Sequence, residues 1–90
     1  MPTEPLTAAR VDQLKRTPPP SGRIEIWDKK TPGLILRISA SGVASWSLRY
    51  RPRNGGGYQR ITLGSLSLAD ARDLAARLRV GVAAGADPQR

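Results

Sequence analysis

Residues 34–51 read Leu34-Ile35-Leu36-Arg37-Ile38-Ser39-Ala40-Ser41-Gly42-Val43-Ala44-Ser45-Trp46-Ser47-Leu48-Arg49-Tyr50-Arg51, and their alternation decides the fold. Leu34, Leu36 and Ile38 fall at every second position, as do Trp46, Leu48 and Tyr50. Side chains alternate across a strand, so each run is a strand with one apolar face. Cross-strand neighbours must share a face, which restricts the loop between the runs. A two-residue turn at Ser41-Gly42 would set Leu36 beside Ser47 and mix the faces. A three-residue loop, Ala40-Ser41-Gly42, sets Leu36 opposite Trp46 and Leu34 opposite Leu48. It also puts Gly42 at the left-handed position where such loops favour glycine.

Working outward, Arg23-Ile24-Glu25-Ile26-Trp27 is a short strand before the turn Asp28-Lys29-Lys30-Thr31-Pro32-Gly33. Tyr58 to Leu63 is another strand, after the glycine-rich Asn54-Gly55-Gly56-Gly57. A four-residue loop there pairs Tyr50 with Ile61, Leu48 with Leu63, Arg49 with Thr62, Arg51 with Arg60 and Arg53 with Tyr58. Beyond Leu66 the period becomes helical. Ser67 and Asp70 resemble a capping box, Ala71, Leu74, Ala75, Leu78 and Val82 form one apolar face, and Gly85 ends the helix. Near the start, Thr7 is placed to cap a short helix with Leu6 stapled on Val11, and Pro18-Pro19-Pro20 stops it. The expected fold is α+β. A three- to four-stranded antiparallel sheet packs on one C-terminal helix, preceded by a short N-terminal helix or arm. The expected division is an arm with its linker at 1–22, the folded domain at 23–85, and the start of a further linker at 86–90.

The opposite sheet face is basic. The chain carries 15 Lys and Arg against 7 Asp and Glu, a formal net charge of +8. No acid occurs between Asp28 and Asp70, a stretch holding Lys29, Lys30, Arg37, Arg49, Arg51, Arg53 and Arg60. Alternation gathers Arg37, Ser45, Ser47, Arg49, Arg51, Arg53, Tyr58, Arg60 and Thr62 on one side, with no acid expected among them. Two arginines opposed across strands, expected at Arg51 and Arg60, cost up to about 1 kcal/mol. A solvated sheet face is usually polar anyway, but selection for stability alone would avoid that pair. A polyanion would justify it. A sheet can enter the major groove of B-DNA, where Arg takes guanine edges or phosphates and Ser, Thr and Tyr take phosphate oxygens.

Other classes fall away. With no Cys and no His, the common zinc sites, thiol catalysis, histidine acid–base chemistry and disulfides are excluded. No carboxylate pair suited to catalysis stands out, and neither a metal nor a cofactor is implied. Gly55-Gly56-Gly57 lacks the Gly-Lys-Ser/Thr of a phosphate loop and reads as a loop tip. The longest strongly apolar run, Leu34-Ile35-Leu36, is far too short for a membrane span, and the N-terminus shows no secretory signal. The expectation is a cytoplasmic protein with no membrane partner.

Several motifs occur in a telling order: Ile24-Glu25-Ile26-Trp27-Asp28, Thr31-Pro32-Gly33-Leu34-Ile35-Leu36-Arg37, Ser41-Gly42 through Trp46-Ser47-Leu48-Arg49-Tyr50-Arg51, Ile61-Thr62-Leu63-Gly64 and Leu66-Ser67-Leu68-Ala69-Asp70-Ala71-Arg72. Together they resemble the N-terminal arm-type DNA-binding domain of phage and genomic-island integrases of the tyrosine recombinase class. The resemblance spans nearly the whole chain. It departs from the commoner pattern at Ile35, where a small residue often sits, and at Asn54–Gly57, where basic residues often sit. It implies a non-catalytic module that binds double-stranded DNA at arm-type sites, with core-binding and catalytic domains elsewhere and other integrase subunits as possible neighbours. Tyr50 and Tyr58 sit in sheet positions and are not expected to be the recombinase nucleophile. The competing readings are an RNA-binding sheet, for which the polar face offers only Tyr58 as a stacking aromatic, and a basic surface for a protein partner.

Overall fold

The computed structural model describes residues 3–52, 57–83 and 85. The element order is β1 (Thr3–Glu4), α1 (Ala8–Arg16), β2 (Arg23–Asp28), β3 (Leu34–Ser39), β4 (Ala44–Tyr50), β5 (Gln59–Gly64) and α2 (Leu68–Ala83). The strands form one sheet in the order β1-β2-β3-β4-β5. β2 to β5 are antiparallel neighbours, as expected. The addition is β1, two residues that pair parallel to β2 through Thr3↔Trp27 and Glu4↔Asp28. No periodicity can announce so short a strand.

The first large hairpin has the expected register, with Leu34↔Leu48, Leu36↔Trp46 and Arg37↔Ser45. Gly42 has φ +84° and donates its N–H to the Ser39 carbonyl at 2.9 Å. The second hairpin differs from expectation by two residues. Leu48 faces Ile61, Arg49 faces Arg60, Tyr50 faces Gln59 and Ser47 faces Thr62. Two features account for the shift. A bulge between Trp46 and Ser47 sets Trp46 against Gly64, so one residue of β5 is left over there. Downstream, Pro52 has no N–H to give a ladder, so β4 ends at Tyr50 and the connection is longer than four residues. A shift of two keeps every side chain on its expected face.

One face of the sheet is the core. Leu34, Leu36, Ile38, Trp46 and Leu48 are essentially fully buried, with Ile26 close behind. Trp46 also donates its Nε1–H to the Leu66 carbonyl at 2.8 Å, so its burial leaves no polar atom unsatisfied. α2 packs on β3 and β4 through Ala71 and Ala75, both fully buried, with Leu78 partly buried beside them. Ser67 Oγ caps it by accepting from the Asp70 N–H at 3.1 Å. Gly85, at φ +103°, follows its last turn.

The N-terminal segment packs on the same core. Leu6 is fully buried and Val11 and Leu14 nearly so, all within the main cluster. Thr7 Oγ1 accepts from the Arg10 N–H at 3.1 Å, the expected N-cap. The tie is Asp28, whose side chain is 0% exposed. Its carboxylate accepts from Arg72 Nε at 2.8 Å and from the Leu6 N–H and the Lys30 N–H, each at 3.2 Å. Arg72 also donates to the Leu6 carbonyl at 2.6 Å. One carboxylate thus joins the N-terminal segment, the end of β2 and α2. Leu6, Val11 and Leu14 therefore belong to the packed body of the domain. The expected linker at 86–90 lies outside the described residues.

Candidate nucleic-acid interface

The face away from the helices carries six of the predicted residues. Register places Glu25, Arg37 and Ser45 in one row across β2, β3 and β4. A second row runs Trp27, Ile35, Ser47 and Thr62, and beyond it Arg49 stands opposite Arg60. Arg37, Ser45, Ser47, Arg49, Arg60 and Thr62 are thus brought together on one face. Tyr58 precedes β5 and is 61% exposed. Arg51 is exposed just after β4 and lines a shallow depression with Tyr50, Tyr58, Arg79 and Val82. Arg53 lies outside the described residues.

Three expectations are corrected. The face is not acid-free: Glu25, from the one strand whose register the sequence left open, sits on it. Its Oε2 accepts from Arg37 Nε at 3.1 Å and NH2 at 3.0 Å, and from Arg60 NH2 at 2.5 Å. The opposed arginines are Arg49 and Arg60, not Arg51 and Arg60. Ser47 is only 6% exposed, covered by Arg60, whose Nε donates to its hydroxyl at 3.0 Å. Ser47 therefore acts first as a support for Arg60.

The two opposed arginines are relieved in different ways. Arg60 turns toward Glu25 and Ser47. Arg49 goes the other way, its guanidinium 4.2 Å from the Tyr58 ring centroid and 5.6 Å from that of Trp27. Both distances are within cation–π range. Arg49 has no carboxylate partner among the described residues. Its guanidinium is engaged by the two rings instead. Gly33, beside β4 at the start of β3, fixes the same place: at φ +84° its carbonyl accepts the Arg49 N–H at 2.8 Å. A Cβ on Gly33 would lie 2.4 Å from the Arg49 carbonyl oxygen, so only glycine fits.

Hydrogen bonding from Arg60 is the main influence on the Glu25 carboxyl. Partial burial pushes it up, and the bond from Arg37 and the charges of both arginines bring it down again, leaving it below its ordinary value. Glu25 is ionised at neutral pH, and its charge lies against those of Arg37 and Arg60. Sequence reasoning missed Glu25 and Trp27 as members of this face. The available signal was the β2 alternation itself, which puts both opposite Ile24 and Ile26. Among the described residues, no cluster of acids could hold a metal ion, and no helix is long and apolar enough to cross a membrane.

The polar face is thus arginine-rich and is backed by a helix-covered core. The sequence profile of the arm DNA-binding domain family matches residues 6–90, and the chain belongs to that family. It is therefore a DNA-binding domain. No curated relative and no solved structure matches it.

Proposed function

We propose that the polar sheet face binds double-stranded DNA in the major groove, at arm-type sites, as the N-terminal module of a site-specific integrase of the tyrosine recombinase class. The observation that carries this reading is Arg49, exposed, unpaired with any described carboxylate, and engaged by the Trp27 and Tyr58 rings. Holding a guanidinium in place beforehand reduces the ordering cost of a bidentate contact to guanine or phosphate. Arg37, Arg51, Arg53, Arg60 and Thr62 are then the surrounding contacts, with Ser45 and Ser47 beneath them. Strand breakage belongs to another domain of such a recombinase: Tyr50 is 3% exposed in the core and Tyr58 is engaged by Arg49, so neither is offered as the nucleophile.

Titrating the domain with a 20-base-pair duplex at several salt concentrations tests this. With about four phosphates neutralised, log K falls against log salt with a slope of about −4. A flat response contradicts the proposal. Single-stranded RNA at equal salt is expected to compete poorly, because the two aromatic rings of the face, Trp27 and Tyr58, are both engaged by Arg49.

A further inference from the structure

We propose that Glu25 is a built-in competitor for DNA phosphate, holding Arg37 and Arg60 in the free protein and thereby limiting binding to arbitrary sequences. This rests on the reading of the polar face as a DNA surface. The geometry is that of an anion between two arginines: Glu25 Oε2 takes Arg37 through two nitrogens and Arg60 through one. Two guanidinium groups converging on one anionic group also make a phosphate site. The arginine side chains are 39% and 35% exposed, whereas that of Glu25 is 17% exposed. Both cations can thus be reached from solvent, while the acid sits inside the sheet between them.

The function of such a contact follows from specificity being a difference of affinities. Each arginine free to meet a phosphate strengthens binding to every sequence alike, through counterion release. An internal carboxylate that must be displaced first removes that sequence-independent gain. Only a DNA that also satisfies the remaining contacts, Arg49 foremost, then binds tightly. Ion pairs this exposed are weak, so the exchange is reversible.

The test compares Glu25→Gln with Asp73→Asn. Both remove one negative charge. Asp73, however, pairs with Arg77 on the exposed side of α2. Each arginine released by E25Q adds about 0.9 to the steepness of the salt slope on a random-sequence 20-base-pair duplex, and raises affinity about two- to fivefold at 0.1 M salt, the most that so weak a pair can withhold. The preference for a duplex selected from a random pool over the random one falls in parallel. D73N leaves the slope unchanged and moves affinity less than about twofold. Adding Arg37→Gln to E25Q returns the slope part of the way.

If E25Q binds with the wild-type slope, or no differently from D73N, the proposal is overturned. A purely structural role for Glu25 would weaken binding to all duplexes and leave the slope alone. Should E25Q lose its native circular dichroism, Glu25→Asp, which keeps the charge but withdraws it by one methylene, is expected to steepen the slope by releasing Arg60. No change there also overturns the proposal. Failure of the wild type to bind any duplex would instead overturn the reading of the face itself.

Discussion

Arg72→Ala is expected to destabilise the domain by about 3 kcal/mol, a loss of roughly 10–20 °C in melting temperature. The mutation removes the guanidinium from a carboxylate whose side chain is 0% exposed, leaving that charge buried with two backbone amides and the Thr31 hydroxyl. It also strips the donor from the Leu6 carbonyl. Arg72 itself is 28% exposed, which places the cost at the low end for a broken buried pair. The control is Arg77→Ala, whose pair with Asp73 is largely solvated and worth under about 0.5 kcal/mol. The pH dependence has a definite sign. Burial raises the Asp28 carboxyl, but Arg72, the Lys30 and Leu6 amides and Thr31 together lower it below its ordinary 3.8. Its contribution is therefore complete above about pH 4 and lost as pH falls through the depressed value. The gap between wild type and Arg72→Ala is widest at neutral pH and closes on acidification, read by thermal melts across the range.

Arg49→Ala is expected to weaken binding to a selected duplex by about 1–3 kcal/mol, or roughly 5- to 150-fold. Arg77→Ala, remote on α2, shifts it far less. Arg49→Lys keeps the charge but loses the planar, forked guanidinium near Trp27 and Tyr58, so it recovers little of the preference for the selected sequence. Fluorescence anisotropy with selected and random duplexes separates these outcomes. Equal losses for Arg49→Ala and Arg77→Ala would argue against the sheet face.

The face of each core strand was legible because period-two alternation carries it directly, and a register slip of two does not disturb it. The Leu36–Trp46 register was legible because one glycine and two apolar runs admitted a single loop length. The Leu48–Ile61 register was not, since the bulge at Trp46/Ser47 is set by the folded sheet, Pro52 being the one local sign that β4 stops short. Glu25 escaped for a related reason: its place beside Arg37 depends on how the Asp28–Gly33 turn sets β2 against β3. Glu25 also lies three residues before the acid-free stretch that runs from Asp28 to Asp70. The Asp28–Arg72 tie spans 44 residues and joins elements that no local pattern connects. The basic residues were legible as a group; which of them remain unpaired was not.

The proposed interface is the face of Arg37, Arg49, Arg60 and Thr62, with α1 and α2 covering the other side. Amide chemical shifts recorded while a duplex is added to the isotopically labelled domain test it most directly. The account predicts that the largest changes fall in β3, β4 and β5 and around Tyr58, with the Arg49 and Arg60 side-chain Nε–H signals among them, while the α2 positions around Arg77 stay still. Changes concentrated on α1 or α2, with β4 and β5 unmoved, would contradict it.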